Sequence, residues 1–243
     1  AHLAAGSHVE RAQQDPIGFL QDNVIGTANL LEFVRLRDVV TGPTLVFSTD
    51  ETVGPAPPGV AYSPNARQYP RNLYAASKSG SEMVAMAYAE TFGVKTIITR
   101  CTNVIGPQGP GNAPGQHPEK FPVLMCAKLL RGETVPIHTV DGVPCSRFYV
   151  HVRNVCSAVH HVLERGQCLD GRDGVGIYHI AGTQEISNVQ LVKFAGETLG
   201  VPAKYELVER PPNRLKPDLR YCLDDSALRA LGWDPEVGFY DGL

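Results

Sequence analysis

Apolar residues recur at helical spacing across positions 17–37, at Phe19, Leu20, Val24, Ala28, Leu31 and Val34, and this period predicts an amphipathic helix. Arg35 and Arg37 near its end suit the negative pole of a helix. The pattern then changes. Thr44-Leu45-Val46-Phe47-Ser48 is a short apolar run after Gly42-Pro43 and reads as a buried strand. It stops at the polar cluster Ser48-Thr49-Asp50-Glu51, and a Pro- and Gly-rich loop extends to about residue 71. A second long helix is predicted over Leu73–Phe92, closed by Gly93. Further along, 94–100, 147–150 and 176–180 read as strands, 121–131, 153–165 and 188–199 as helices, and 102–122 as a loop.

Strands that alternate with helices in this way predict a parallel α/β sheet. In such sheets ligands sit beyond the carboxyl ends of the strands. Thr49-Asp50-Glu51 and Thr102-Asn103 follow the two clearest strands and so occupy such ends. After about residue 104 the loops lengthen, Pro and Gly cluster, and the strands shorten. The expected division is 1–104 for the sheet and 105–243 for a smaller, irregular α/β lobe, with some segments returning to the sheet. No stretch has the composition of a flexible linker, so the two parts should pack together.

Composition narrows the function classes. The chain has 243 residues, 43% of them hydrophobic, which excludes intrinsic disorder. Its 22 basic and 25 acidic side chains give a net charge of −3, which argues against a nucleic-acid partner. No run of apolar residues is long enough for a membrane span. Cys101, Cys126, Cys145, Cys156, Cys168 and Cys222 form no Cys-x-x-Cys pair and no zinc spacing, so they read as inert thiols in a reducing compartment, the cytoplasm. His160 and His161 are adjacent on a predicted helix and point apart, so no metal site is expected. Ala1 opens the sequence without Met or a signal segment, and Phe239-Tyr240-Asp241-Gly242-Leu243 closes it where a new helix could begin. Both ends read as cuts through a longer protein.

Tyr74-Ala75-Ala76-Ser77-Lys78 sets a phenol and an ammonium one turn apart on one helix face. A nearby ammonium favours the phenolate, so Tyr74 is a candidate general base for a hydroxyl proton. That spacing is common by chance, and a solvated helix face produces it too. Asp50 and Glu51 are adjacent carboxylates, which can divide the roles of acid and base if their environments separate their pKa values. Thr-Asp at a strand end is also ordinary turn chemistry.

Longer stretches add to these residues. They run from His2-Leu3-Ala4-Ala5-Gly6-Ser7-His8-Val9-Glu10-Arg11, through Gly26-Thr27 and Asn29-Leu30-Leu31-Glu32, to Ser48-Thr49-Asp50-Glu51 and Tyr74–Lys78. Asn103-Val104-Ile105-Gly106-Pro107 and His117-Pro118-Glu119-Lys120-Phe121-Pro122 follow, then Arg147-Phe148-Tyr149-Val150-His151-Val152 and Leu231-Gly232-Trp233-Asp234-Pro235. In this order they resemble the extended short-chain dehydrogenase/reductase family and, within it, the sugar-nucleotide 4,6-dehydratases. Thr-Asp-Glu is the specific part of the resemblance.

The resemblance implies a Rossmann-like, doubly wound parallel sheet and NAD as cofactor. It implies a nucleoside-diphosphate glucose as substrate, dTDP- in preference to UDP-glucose, and a homodimer through helices 17–37 and 73–92. It implies Thr49, Asp50, Glu51, Tyr74 and Lys78 as catalytic residues. Leu3, Ala4, Ala5, Ser7, Asp22, Ser48, Tyr74, Lys78 and Val104 would meet the cofactor. Ser7, Thr49, Asn103, Lys120, Phe121, Pro136, Ile137, His138, Arg147, Asn188 and Arg210 would meet the substrate. Arg147 and Arg210 are the expected diphosphate partners, and Pro136 and Ile137 are expected against the base.

The sequence also departs from the family's pattern. The Gly-rich nucleotide turn is not among these residues. Gly6 and Ala12 replace the family's Glu and Ser, and Thr52-Val53-Gly54 stands for Val-Tyr-Gly. The stretches 108–116, 141–146 and 211–219 are longer than is usual. An epimerase or decarboxylase of the same superfamily would share Tyr74 and Lys78 without needing Asp50 beside Glu51. A non-catalytic structural subunit is the reading that a missing nucleotide turn would favour.

Overall fold

In the computed structural model, which describes residues 1–37, 42–106, 120–209 and 218–240, the expected helix 17–37 is present as one continuous run over 16–36 with a π-helical turn inside it, and a shorter helix stands before it. Helix α1 (Val9–Gln14) precedes α2 (Pro16–Leu20), a π-helical turn follows at Gln21–Ile25, and α3 (Gly26–Leu36) completes it. Asp15 separates α1 from α2: its carboxylate accepts from Gly18 N at 2.9 Å, and Pro16 behind it supplies no donor, so a new helix starts there. The π turn turns Asn23 inward. Asn23 is almost fully buried, takes Gly6 N at 2.8 Å, and donates to Gly6 O at 3.0 Å and Ser77 Oγ at 2.8 Å. One inserted residue thus satisfies the backbone of the first segment and fastens it to the next long helix.

The elements that follow are β1 (Thr44–Thr49), α4 (Leu73–Phe92), β2 (Thr96–Cys101), β3 (Asn103–Ile105), α5 (Phe121–Leu130) and β4 (Val135–Val140). Then come β5 (Val143–Pro144), β6 (Ser146–His151), α6 (Val152–Arg165), β7 (Ile177–Ile180), β8 (Glu185–Ser187), α7 (Asn188–Leu199), β9 (Tyr205–Glu209) and α8 (Ser226–Ala230). Helix α4 has the predicted bounds: Asn72 caps its start by accepting Ala75 N, and Gly93 ends it in the left-handed conformation at φ 67°.

Strands β1, β2 and β7 form the parallel sheet in that order, and His2 bridges to Val46 on the free side of β1. Alternation along the strands builds two cores. Val46 and Ile98 pack against Leu31 and Ala85 of α3 and α4, while Leu45, Ile97 and Ile180 pack against Val155, Ala158 and Val162 of α6 and Leu228 of α8. Burying each such side chain stabilises the fold by about 1.5–3 kcal/mol, so these two faces fix how the strand ends stand relative to α4.

The expected strand 147–150 exists but lies outside this sheet. As β6 it pairs parallel with β3 (Tyr149 opposite Asn103) and antiparallel with β8 (Arg147 opposite Ile186). A third sheet joins β4 to β9 in parallel and to β5 in antiparallel register. Its core of Met125, Leu129, Val135, Ile137, Leu191 and Val192 lies between β4, α5 and α7. The strands β3, β4, β5, β8 and β9 were not expected: each is short or half polar, and their partners are remote in sequence. Phe239 is buried in this second core, and Asp241-Gly242-Leu243, where a new helix was expected to begin, lie outside the described residues.

Candidate active site

At the end of β1 the backbone turns into one 3-10 turn, Asp50–Val53. Thr49 makes the turn: its hydroxyl accepts from Glu51 N at 3.3 Å and donates to Asp50 Oδ1 at 3.1 Å. Gly54 closes it at φ 77°, where a Cβ would stand 2.6 Å from the Tyr69 carbonyl oxygen. Only glycine fits there, which accounts for Gly54 surviving where its two predecessors depart from the family.

The turn aims two carboxylates at the start of α4. Asp50 is 4% exposed, and its Oδ2 has no hydrogen-bond partner. Burial, and then the charge of Glu51, push its pKa up to about 7, against the opposing charge of Arg147. Glu51 is also pushed up by burial, and Asn72 Nδ2 donates to its Oε2 at 2.6 Å. Asn72 therefore does two things with one amide: its oxygen starts α4 and its nitrogen holds Glu51 beside that helix.

Tyr74 lies within hydrogen-bond reach of the Thr49 hydroxyl. Burial drives its pKa upward, and the charges of Glu51 and Asp50 add to the rise. The expected phenolate, held by Lys78 together with NAD, therefore has burial first and then the charges of Glu51 and Asp50 to overcome. Lys78, on the next turn, is buried and pulled down to about 8, with Glu82 opposing. Among the described residues, no acceptor lies within hydrogen-bond range of the Lys78 ammonium.

The other expected residues divide. Leu3, Ala4 and Ser7 are exposed just past the His2 bridge, with Ala5 half-buried, and Val104 and Asn103 are exposed on β3. Asp22 is not brought in: it is exposed on the π turn, and its neighbour Asn23 is the residue that points inward. The Ser48 hydroxyl donates to Glu82 beneath the site. Lys120 is exposed at the start of α5 and its charge reaches Glu51, while Phe121 leans on the second core. Ile137 is fully buried in that core and does not line a surface, whereas Pro136 and His138 alternate onto the other face of β4. Asn188 is half-buried at the first position of α7. Arg210, together with Pro107 and His117-Pro118-Glu119, lies outside the described residues.

Arg147 does reach the centre, since its charge favours the ionised forms of both Asp50 and Glu51. Its Nη1 donates to Ser146 O at 2.7 Å and Leu219 O at 3.2 Å, and its guanidinium carbon stands 4.8 Å from the Tyr221 ring centroid. Tyr221 and Asp218, joined by a hydrogen bond of 2.5 Å, were not foreseen. They come from a segment that sequence proximity could not tie to Glu51. Asn72 was findable as the polar residue before an apolar helix.

The donor set fits a nicotinamide dinucleotide at its ribose end. The Lys78 ammonium, buried one turn beyond Tyr74, offers donors suited to the hydroxyls of a ribose. Among the described residues, no cluster of His, Cys, Asp or Glu could hold a metal, and no helix is long and apolar enough to cross a membrane.

Residues 1–181 match the NAD dependent epimerase/dehydratase family. The chain is 35% identical over its full length to the dTDP-glucose 4,6-dehydratase of Streptomyces niveus, and it spans 66% of that protein. It is 37% identical to the crystallised dTDP-glucose 4,6-dehydratase of Streptomyces venezuelae with NAD bound, with a TM-score of 0.80 over 99% of this chain and 69% of that one. The UDP-glucose 4-epimerase of Thermus thermophilus, in complex with NAD, is 27% identical, with a TM-score of 0.82 over 99% of this chain and 73% of that one. Fold likeness does not separate dehydratase from epimerase; sequence identity favours the dehydratase. The doubly wound sheet and the family read from the motifs are both borne out.

Proposed function

The chain belongs to the NAD-dependent epimerase/dehydratase family, and on that footing we propose that the protein it represents dehydrates dTDP-glucose to the 4-keto-6-deoxy sugar nucleotide. The observation that carries this reading is Asp50. It is a buried carboxyl with an unpartnered oxygen and a pKa near 7, directly beside Glu51 and Tyr74. Epimerisation needs one acid–base group at C4. Elimination of water needs two further groups, and they need opposite protonation states.

NAD, when bound, supplies the hydride acceptor at C4 and returns the hydride to C6. Tyr74 takes the O4 proton, and the Lys78 ammonium one turn away stabilises the phenolate that Glu51 and Asp50 oppose. Thr49 orients O4 through its hydroxyl. Glu51, held by Asn72, removes the C5 proton made acidic by the C4 ketone. Asp50, protonated near neutral pH, donates to the departing O6. Leu3, Ala4, Ala5, Ser7, Ser48 and Val104 would border the cofactor. Asn103, Lys120, Phe121, Pro136, His138, Arg147 and Asn188 would border the sugar nucleotide.

The full-length protein, incubated with NAD and dTDP-glucose, should yield a product lighter by one water without net NADH, as mass spectrometry and absorbance will read. A C4-epimerised product of unchanged mass would favour the epimerase instead. We further assign a homodimer through helices 17–37 and 73–92, where Ile25 of the π turn, Phe33 and Leu36 of α3, and Met83 and Phe92 of α4 stand exposed. Sedimentation should give a dimer at micromolar concentration, and Phe33→Asp with Met83→Lys should give a monomer. The six free cysteines support a cytoplasmic location.

A further inference from the structure

Beneath the catalytic groups lies a second layer of buried charge that no reaction step uses. Glu82 and Arg100 are 0% and 1% exposed. Arg100 Nη2 lies 2.8 Å from Glu82 Oε2, and Arg100 Nε lies 3.1 and 3.2 Å from the two carboxylate oxygens. The same carboxylate accepts from the Ser48 hydroxyl and from Gln68 Nε2 at 2.6 Å. Arg100 Nη1 donates to Pro64 O at 3.0 Å and faces His179 Nε2 at 3.5 Å, and His179 Nδ1 lies 3.0 Å from Asp224 O. Burial and the Arg100 charge push His179 down to about 3, so the ring is neutral. A carbonyl oxygen can only accept, so Nδ1 carries the hydrogen and Nε2 offers its lone pair to Arg100.

The network's position gives it a mechanical role. Ser48 immediately precedes Thr49-Asp50-Glu51. Glu82 lies one turn past Lys78 and two past Tyr74 on α4, and Arg100 is the next-to-last residue of β2, before Cys101, whose thiol feels the charge of Asp50. One carboxylate therefore joins the ends of β1 and β2 to the catalytic helix and, through Arg100, to β7. Stability does not explain the pair. Taking two charges out of water costs several kcal/mol per ion, and apolar residues of the same shape often serve a fold as well or better.

The surroundings of Lys78 suggest what apolar residues would lose. The titratable groups whose charge couples to it are Glu82 one turn along its own helix and the His2 ring on the first segment. Of these, the Glu82 carboxylate is the one that favours the ammonium against burial. We propose that Glu82, clamped by Arg100, is a positioning residue of the reaction: it supports Lys78 one turn before it and fixes the Thr49–Glu51 turn against the helix that carries Tyr74. The inference rests on the dehydratase reading and deepens it.

The test uses the full-length protein and two readouts. One is kcat and KM for dTDP-glucose against pH; the other is the pH dependence of Lys78 acylation by a trace amine reagent, read by mass spectrometry without any need for turnover. Glu82→Gln removes the charge but leaves Arg100 buried without a counter-ion, so the double variant Glu82→Gln with Arg100→Gln is measured beside it. Both should lower kcat roughly tenfold or more with KM little changed. Both should also move the Lys78 midpoint and the alkaline limb of kcat to lower pH by about one unit, while Glu82→Asp retains both. A shifted Lys78 midpoint in a protein whose wild type does not dehydrate the sugar would sink the dehydratase reading and leave the charge support standing. Wild-type kcat and an unmoved Lys78 midpoint in a folded neutral variant would overturn the inference. So would failure of both neutral variants to fold, since the pair would then serve the fold alone.

Discussion

The floor of the site and the surface of the second lobe are built in opposite ways. On the floor, Thr49, Asp50 and Glu51 come from one turn, and Asn72, Tyr74 and Lys78 from the first two turns of one helix. They are packed so tightly that burial, more than any single neighbour, sets their chemistry: Asp50, Glu51 and Tyr74 shift up and Lys78 shifts down. In the second lobe the candidates come from α5, β4, β6 and α7, and they are half exposed or, like Ile137, buried in the core. Arg147 and Lys120 are the ones whose charge reaches across to the floor. Reactive groups that must touch each other can be encoded within a few residues, whereas a surface that must fit a large ligand is assembled by long-range pairing.

This comparison would break first at Tyr74. Tyr74→Phe or Lys78→Met should lower kcat by about 10²–10⁴ while leaving the nucleotide-sugar Kd within about twofold by calorimetry; a comparable loss of binding would move the floor into recognition. Arg147→Ala comes next. It should weaken nucleotide-sugar binding by about 2–4 kcal/mol with NAD affinity nearly unchanged, and equal losses for both ligands would make Arg147 a support of the fold. Because Arg147 opposes the upward shift of Asp50 and Glu51, the same variant should move the acid limb of kcat to higher pH.

Asp50 then tests whether burial governs the floor. In the folded chain its carboxyl keeps a proton to about pH 7, whereas in the unfolded chain it loses it near the ordinary value of 3.8. The folded state binds more protons between those values, so the stability due to Asp50 is complete below about pH 4 and is lost as pH rises through 7. Asp50→Asn removes that loss, and it should stabilise the protein by about 2 kcal/mol at pH 8 and by almost nothing at pH 4. Thermal melts at the two pH values decide the point, and equal shifts would contradict it. The smallest effect belongs to the second lobe: Ile137→Val should cost about 1 kcal/mol of stability and leave KM unchanged, and a raised KM would return Ile137 to the ligand surface.

How much was legible follows the same division. Helix α4 was readable to its ends because the apolar period and the closing Gly93 act within the helix itself, and the Asn72 cap that went unread is local too. The parallel strands β1, β2 and β7 were readable because fully buried strands are continuous apolar runs. The π turn before α3 was not, since Asn23 turns inward on side-chain hydrogen bonds that a periodic pattern does not show. Strands β3, β4 and β9 alternate polar and apolar residues over three to six positions, and such short pieces acquire strand character only from partners far along the chain. For the site, Asp50, Glu51, Tyr74 and Lys78 were legible as residues, but their protonation states were not. Those depend on burial, which pushes Tyr74 upward against the effect expected of Lys78. Pro136, Ile137 and His138 were named together because the strand itself was not foreseen, and alternation along β4 turns Ile137 into the core.

The most direct test of the central claim, that Asp50 is the buried acid of a dehydration, is rapid-quench analysis of Asp50→Asn in the full-length protein with NAD and dTDP-glucose. An amide cannot protonate O6, so the account predicts that NADH forms and the 4-keto-glucose nucleotide accumulates with its water still in place. Release of the 4-keto-6-deoxy product at the wild-type rate would contradict it.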